Sequence, residues 1–277
     1  MERILLFVNR RKEQACAAVE KFRQEFGRLY ELVEMDPRTD DGPPPDQARL
    51  AIVFGGDGSV LAAARALAGR QIPLVGVNMG KMGFLAELNQ EELSQRLRDI
   101  LAGNATALDR LMLQARIRRD QRTPGEPRLA LNDVVLSGRS HLRMQQVTLF
   151  VNDEETITYN GDGIIVATPV GSTAYSLSAG GPIVVPGLEV LVVTPICPHS
   201  LTNRSLVVSA ASKLELVPEY REHPPVLTLD GQELIELAPG DRVQVEVAPH
   251  RLKLIETGSR TFFRTLRQKM DWGGRTT

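Results

Sequence analysis

Near residue 108 the apolar residues change their spacing, so one chain has to build two different kinds of layer. Before that point, Ile4 to Val8, Tyr30 to Met35, Leu50 to Phe54 and Ile72 to Val77 are short apolar runs suited to strands. Between them, Ala15, Val19, Phe22 and Phe26 recur at steps of four, three and four residues and close at Gly27. Val60, Leu61, Ala64, Leu67 and Ala68 form a second helical stripe, ended by Gly69. Leu93, Leu97 and Ile100 mark a third, with Asn89 and Glu92 placed as a capping box and Gly103 as a stop. Strands alternating with helices predict a parallel, doubly wound sheet. Beyond residue 108, Leu111, Leu113, Ala115 and Ile117 alternate with Met112, Gln114, Arg116 and Arg118. The same period of two returns at Val147, Leu149, Val151 and at Val243, Val245, Val247, with turn signals at Asn152-Asp153, Asp230-Gly231 and Pro239-Gly240.

The expected fold class is therefore α/β plus all-β. An N-terminal doubly wound α/β domain covers 1–107, and a C-terminal β-sandwich-like domain covers 108–255. Phe262, Leu266 and Met270 follow at four-residue steps. A lone helix of that length is marginal, so the tail 256–277 is expected to pack back on the first domain. Asp36 to Gln47, with three consecutive prolines, reads as a surface loop, and Arg119 to Arg128 as an exposed hairpin loop.

Composition narrows the partners. Lys and Arg number 33 against 34 Asp and Glu, interspersed along 277 residues. A net charge of -1 argues against nucleic acid and against an anionic membrane surface. The only apolar stretch at the N-terminus, Ile4 to Val8, is too short for a signal core or a membrane span, so a soluble cytoplasmic protein is expected. Cys16 and Cys197 lie far apart without metal-ligand spacing and read as small apolar fillers.

Chemistry concentrates in a few segments. Phe54-Gly55-Gly56-Asp57-Gly58-Ser59 places a carboxylate in a glycine loop at a strand-to-helix turn. Glycines let an anion approach the main chain, and first-turn N–H groups favour negative charge, so the loop suits a phosphate. An acid there would repel the phosphate unless it takes a proton or holds a sugar hydroxyl or magnesium. Asp57 is the candidate base; the structural alternative is a helix-capping Asp in a glycine turn. The run Asn160 to Gly181 is a strand followed by Ser172, Thr173, Tyr175, Ser176 and Ser178. Those hydroxyls are poor interior residues unless paired, and suit a ligand-facing loop or a capped helix start. Asn132-Asp133, inside the apolar run Leu129 to Leu136, is either a site or a bulge. Gly76 to Lys81 mimics a Walker loop, but has three residues instead of four between its glycines, and Met82 where Ser or Thr belongs. Gly161-Asp162-Gly163 mimics a dinucleotide fingerprint whose third glycine is replaced by Val166.

Taken together, Gly55-Gly56-Asp57-Gly58-Ser59, Gly76 to Leu85, Asn132-Asp133 and Asp162 to Gly181 resemble the NAD kinase family in order and spacing. The resemblance implies transfer of the ATP γ-phosphate to the 2′-hydroxyl of the adenosine ribose of NAD, giving NADP, with Mg2+ accompanying ATP. It implies that Asp57 takes the hydroxyl proton, with Gly55, Gly56 and Gly58 around the phosphates and Phe84 by the adenine. Asn132 and Asp133 would hold the ribose. Asp162, Thr173, Ala174, Tyr175 and Ser178 would shape the nicotinamide and second adenine-side pocket, with Gln232 and Arg143 as further ligand contacts. A homodimer or homotetramer is the family expectation. Asn160 stands where many members have Arg, and Val170 where Thr or Ser is common, so affinity for the acceptor or the choice between NAD and NADH can differ. Two rivals share parts of this pattern: a diacylglycerol-type lipid kinase, and a non-catalytic dinucleotide-binding module.

Overall fold

The computed structural model describes residues 1–40, 42–80, 83–119, 125–138, 145–200, 202–219, 224–258 and 260–272. The chain forms two compact units, Met1–Asp109 with Arg251–Thr277, and Arg110–His250.

The first unit runs β1 (Arg3–Val8), α1 (Glu13–Phe26), β2 (Glu31–Met35), β3 (Leu50–Gly55), α2 (Asp57–Ala66), β4 (Leu74–Asn78), β5 (Ala86–Leu88), α3 (Gln90–Leu101) and β6 (Thr106–Arg110). The strand Leu252–Glu256 inserts between β4 and β6, giving the order β2-β1-β3-β4-(252–256)-β6, with β5 also paired to β4. The pairs from β2 to β4, and those that β4 makes with β5 and with 252–256, are parallel. Strands in such a sheet are buried on both faces, which is why β1 and β3 are apolar without alternation. Ile4, Leu6, Val8, Leu50, Ile52 and Phe54 share a core with α1 and α3. The intervening Leu5, Phe7, Ala51 and Val53 are buried too, and α2 lies against β1, β3 and β4.

Local details follow the residues. Asn89 accepts from Glu92 N–H at 2.8 Å while Glu92 accepts from Asn89 N–H at 2.8 Å, completing the capping box, and Gly103 follows at φ +81. Gly27, by contrast, ends α1 at φ -67 without a left-handed turn. The 36–47 loop is anchored at its start, where buried Asp36 accepts the N–H groups of Arg10 and Arg38. Of the Arg119 to Arg128 loop, positions 120–124 lie outside the described residues. The chain re-enters the α/β sheet at Leu252, a few residues ahead of the sequence reading, because Leu252, Leu254 and Ile255 continue the apolar pattern of the preceding strand into a different sheet. Thr261 caps the tail helix Phe262–Lys269, which buries Thr265 and Leu266.

The second unit comprises β7 (Leu113–Arg119), β8 (Arg128–Ala130), β9 (Asp133–Gly138), β10 (Gln145–Val151), β11 (Glu154–Gly161), β12 (Gly163–Ala167), the short helix α4 (Tyr175–Ser178), β13 (Val190–Ile196), β14 (Leu206–Ser209), β15 (Leu214–Pro218), β16 (Pro225–Leu229), β17 (Glu233–Glu236) and β18 (Asp241–Val247). They form two six-stranded sheets, β11-β10-β15-β18-β7-β8 and β14-β13-β12-β9-β16-β17. Every second residue of each sheet enters a shared core, among them Leu113, Leu149, Leu216 and Val243 from one and Leu136, Ile164, Val193 and Leu227 from the other. The second sheet is covered on its other face as well, where Val135, Ile165, Ala167, Val192 and Ile196 pack with Val184. This double burial explains why β12 is a continuous apolar run in an antiparallel sheet.

Cys16 and Cys197 are exposed, not interior fillers. Cys16 falls off the α1 face that buries Ala15, Ala18, Val19, Phe22 and Phe26, and Cys197 sits at φ +45 just past β13.

Candidate functional site

In the first unit the glycine loop joins β3 to α2, and Gly56 is the N-cap of that helix with no side-chain acceptor on it. A side chain at Gly55 would overlap buried Ser59, so glycine is required there. Asp57 opens the helix but reaches away from it. Its carboxylate accepts the N–H groups of Phe84 at 2.8 Å, Leu85 at 3.0 Å and Ala86 at 3.3 Å. Gly83 packs so closely on this carboxylate that a methyl group there would collide with it. One Asp57 oxygen takes two of these bonds and the other only one, so acceptor sites are left for a hydroxyl. The Phe84 ring, half-buried, lies 5.9 Å from that of Phe262, and Lys269 Nζ is 4.8 Å from its centre.

In the second unit a pocket of about 300 Å³ opens among Asn132, Asp133, Val135, Ser137, Ala174, Tyr175, Thr228, Asp230 and Gly231. One turn builds its floor. Thr168 donates its hydroxyl to Leu131 C=O at 2.6 Å, accepts Gly171 N–H at 3.1 Å, and donates its own N–H to Asn132 C=O at 2.9 Å. A side chain at Gly171 would overlap the Asn132 backbone, so the Thr168–Gly171 turn docks tightly enough to carry Ala174 and Tyr175 to the pocket. The opposite rim is the hairpin between β16 and β17, where Asp230 at φ +51 and Gly231 at φ +64 make the turn. The Asp230 carboxylate takes the N–H groups of Leu131, Asn132 and Asp133 at 3.1, 2.7 and 3.3 Å. Asn132 Oδ1 is buried without a partner in the described structure, an orphan acceptor. Burial, and then the Asp230 charge, push the Asp133 carboxyl up to about 7. Burial, with Cys197, Asp162 and Asp133 behind it, also raises the Tyr175 phenol.

Four residues singled out by sequence, Asn132, Asp133, Ala174 and Tyr175, therefore meet at one pocket. Asn160, Asp162 and Thr173 are half-buried nearby in sequence but do not line it, while Ser178 and Gln232 are exposed. Arg143 lies outside the described residues, as do Lys81 and Met82. The hydroxyl run divides by depth. Ser172 donates to Pro169 C=O at 2.6 Å and accepts Val184 N–H at 3.0 Å, and Ser176 pairs with Thr194 at 2.9 Å. Both are wholly buried, so they hold the loop together and do not face a ligand. Val135, Ser137, Thr228 and Asp230 escaped sequence reasoning. The first three depend on the pairing of Val135 with Thr228 across β9 and β16, and Asp230 was legible only as half of a turn signal.

Comparison with known proteins decides the family. Residues 39–105 match the ATP-NAD kinase N-terminal domain and residues 131–257 the ATP-NAD kinase C-terminal domain. The chain is 43% identical to an NAD kinase of Geobacter metallireducens, over 83% of this chain and 81% of that one. It belongs to the NAD kinase family. An NAD kinase of Pseudomonas putida is 42% identical over 82% of this chain and 76% of its own length. Among solved structures, yeast NADH kinase complexed with NADH superposes with a TM-score of 0.87 at 21% identity, covering all of this chain and 89% of that one. An NAD kinase from Archaeoglobus fulgidus in complex with ATP gives 0.78 at 24% identity, covering 96% and 99%. At such identities these two speak for the shared fold: an α/β part and a part built of antiparallel sheets.

Proposed function

We propose that this NAD kinase phosphorylates NAD to NADP by passing the ATP γ-phosphate to the 2′-hydroxyl of the adenosine ribose. The ATP-dependent phosphorylation of NAD rests on one observation, the match of both halves of the chain to ATP-NAD kinase domains. The finer assignments rest on the geometry. The α/β unit handles the phosphates, with Gly55, Gly56 and Gly58 at the amide-rich start of α2. The β-rich unit holds the dinucleotide, with Asn132, Asp133, Ala174 and Tyr175 in its pocket. Asp57 accepts the hydroxyl proton. Its three amide bonds fix the direction of the carboxylate in advance, and positioning is most of what phosphoryl transfer needs.

Magnesium enters as part of the MgATP substrate. Magnesium rarely takes a full protein cage, so the phosphates plus one or two carboxylates would hold it. No helix among the described residues is long and apolar enough to cross a membrane. The resemblance to the family is what supports a cytoplasmic homodimer or homotetramer.

The test is purified protein incubated with magnesium and each pairing of ATP or polyphosphate with NAD or NADH, followed by quantification of NADP or NADPH. Formation of NADP from ATP and NAD is expected. Binding of NAD without turnover would reassign the chain as a dinucleotide sensor.

A further inference from the structure

Asp230 is a buried carboxylate whose observed partners include three main-chain amides, all at the start of β9. The hairpin fixes where it sits, because Asp230 at φ +51 and Gly231 at φ +64 are the two central residues of the turn. The turn, closed by the Gln232 N–H to Leu229 C=O bond at 2.9 Å, needs positive φ at this position but not a carboxylate, since Asn or Gly would serve it as well. The carboxylate instead spans to the neighbouring strand and clamps the two residues that present polar groups to the pocket.

We propose that Asp230 is a positioning residue for the dinucleotide, clamping the 131–133 backbone so that Asn132 Oδ1 accepts a ligand hydrogen bond while Asp133 serves the ligand as a neutral, proton-bearing donor. This rests on the reading that the pocket takes NAD. Two carboxyls share one small cavity, and like charges there cannot both ionise cheaply. Asp230 is the one that accepts three N–H groups, and its charge acts on Asp133. Asp133 is shielded from solvent and sits beside that charge, which together lift it to about 7. Among the described residues, the titratable groups facing this corner are Asp230 from the β16–β17 turn and Tyr175 from α4, with Asp162 and Cys197 beyond Tyr175. Asn132 Oδ1, buried and unpartnered, supplies the complementary acceptor. A hydroxyl, which both donates and accepts, satisfies the pair; two acceptors would not.

The experiment is calorimetric titration of the full chain with NAD between pH 6 and 8.5, for the wild type, Asp133→Asn and Asp230→Asn. Wild-type affinity should fall above about pH 7, approaching tenfold per pH unit. Asp133→Asn, whose amide donates at every pH, should bind with an affinity that no longer changes across the range. Asp230→Asn should weaken NAD roughly tenfold at pH 6, with kcat much less affected than KM, and should move the inflection to lower pH, because removing the neighbouring anion lowers the Asp133 pKa. A wild-type profile flat from pH 6 to 8.5, or Asp133→Asn binding far more weakly than wild type at pH 6, would overturn the proposal. Should Asp230→Asn fail to fold, the Asp133→Asn profile decides alone. Failure of the wild type to bind NAD at all would instead refute the assignment of the pocket.

Discussion

Asp57, the proposed base, also holds the fold together locally. Its carboxylate ties Phe84, Leu85 and Ala86 to the start of α2, so the candidate base also organises the loop carrying Phe84. Asp57→Asn keeps the size of the group and part of its acceptor capacity. Turnover in the NADP assay should drop by about 10²- to 10⁴-fold, while NAD affinity stays within a few-fold. Gly83→Ala places a methyl against the same carboxylate and should lower turnover by displacing Asp57, with its carboxylate still present. A Gly83→Ala enzyme with unaltered kcat would show that the amide clamp is irrelevant to catalysis. Asp133 makes a different prediction, on stability. Its folded-state value, about 7, lies above the ordinary 3.8, so the folded protein holds the proton more tightly than the unfolded chain. The associated stability is fully present below about pH 4 and is lost as pH rises through about 7, at up to about 1.4 kcal/mol per pH unit within that window. Denaturant melts of wild type and Asp133→Asn should diverge in this sense between pH 4 and 7 and run parallel above it.

Among the elements, the Thr168–Gly171 turn bears the most on the pocket. Thr168→Val is nearly isosteric, yet it leaves Leu131 C=O without its donor and Gly171 N–H without its acceptor, both in a buried place. A loss of about 1–3 kcal/mol is expected in urea denaturation for each orphaned group, together with a higher KM for NAD because Ala174 and Tyr175 are no longer fixed beside Asn132. Asn89→Ala, which removes the α3 cap, should cost about 0.5–2 kcal/mol without touching KM, which separates loss of a cap from loss of the site. Elements of this kind were largely legible in the sequence. The helical stripe of α1 and the capping box of α3 were readable because they are local, and β3 running into α2 was readable because glycine punctuates it. What could not be read depends on pairing between distant segments. β5 is only three residues long and exists because β4 offers it an edge. The inward turn of Ser172 and Ser176 depends on Val184 and Thr194, which no local pattern announces. Asp230 reads as a turn residue until β16 is laid beside β9, and only then do its three amide partners appear.

Connectivity at the scale of the molecule makes the two units unequal when the chain is cut. The α/β sheet takes its strand next to β4 from Leu252–Glu256, so its sequence is interrupted by the entire β-rich unit. Cutting at residue 109 removes Leu252, Leu254 and Ile255 from the sheet and Leu266 from the tail helix, all buried. At about 1.5–3 kcal/mol for each such side chain, the loss rivals the whole stability of a typical domain, about 5–15 kcal/mol. A fragment of residues 1–109 should therefore be unfolded or molten by circular dichroism and amide exchange. The fragment 110–250 keeps all strands of both its sheets, the shared core between them and every residue lining the pocket. It should melt cooperatively and still show NAD-dependent shifts of the Asn132, Asp133 and Tyr175 amides in NMR titration, while forming no NADP because it lacks Asp57. Cooperative folding without any response to NAD would mean that the pocket, although complete within this unit, does not recognise the dinucleotide by itself.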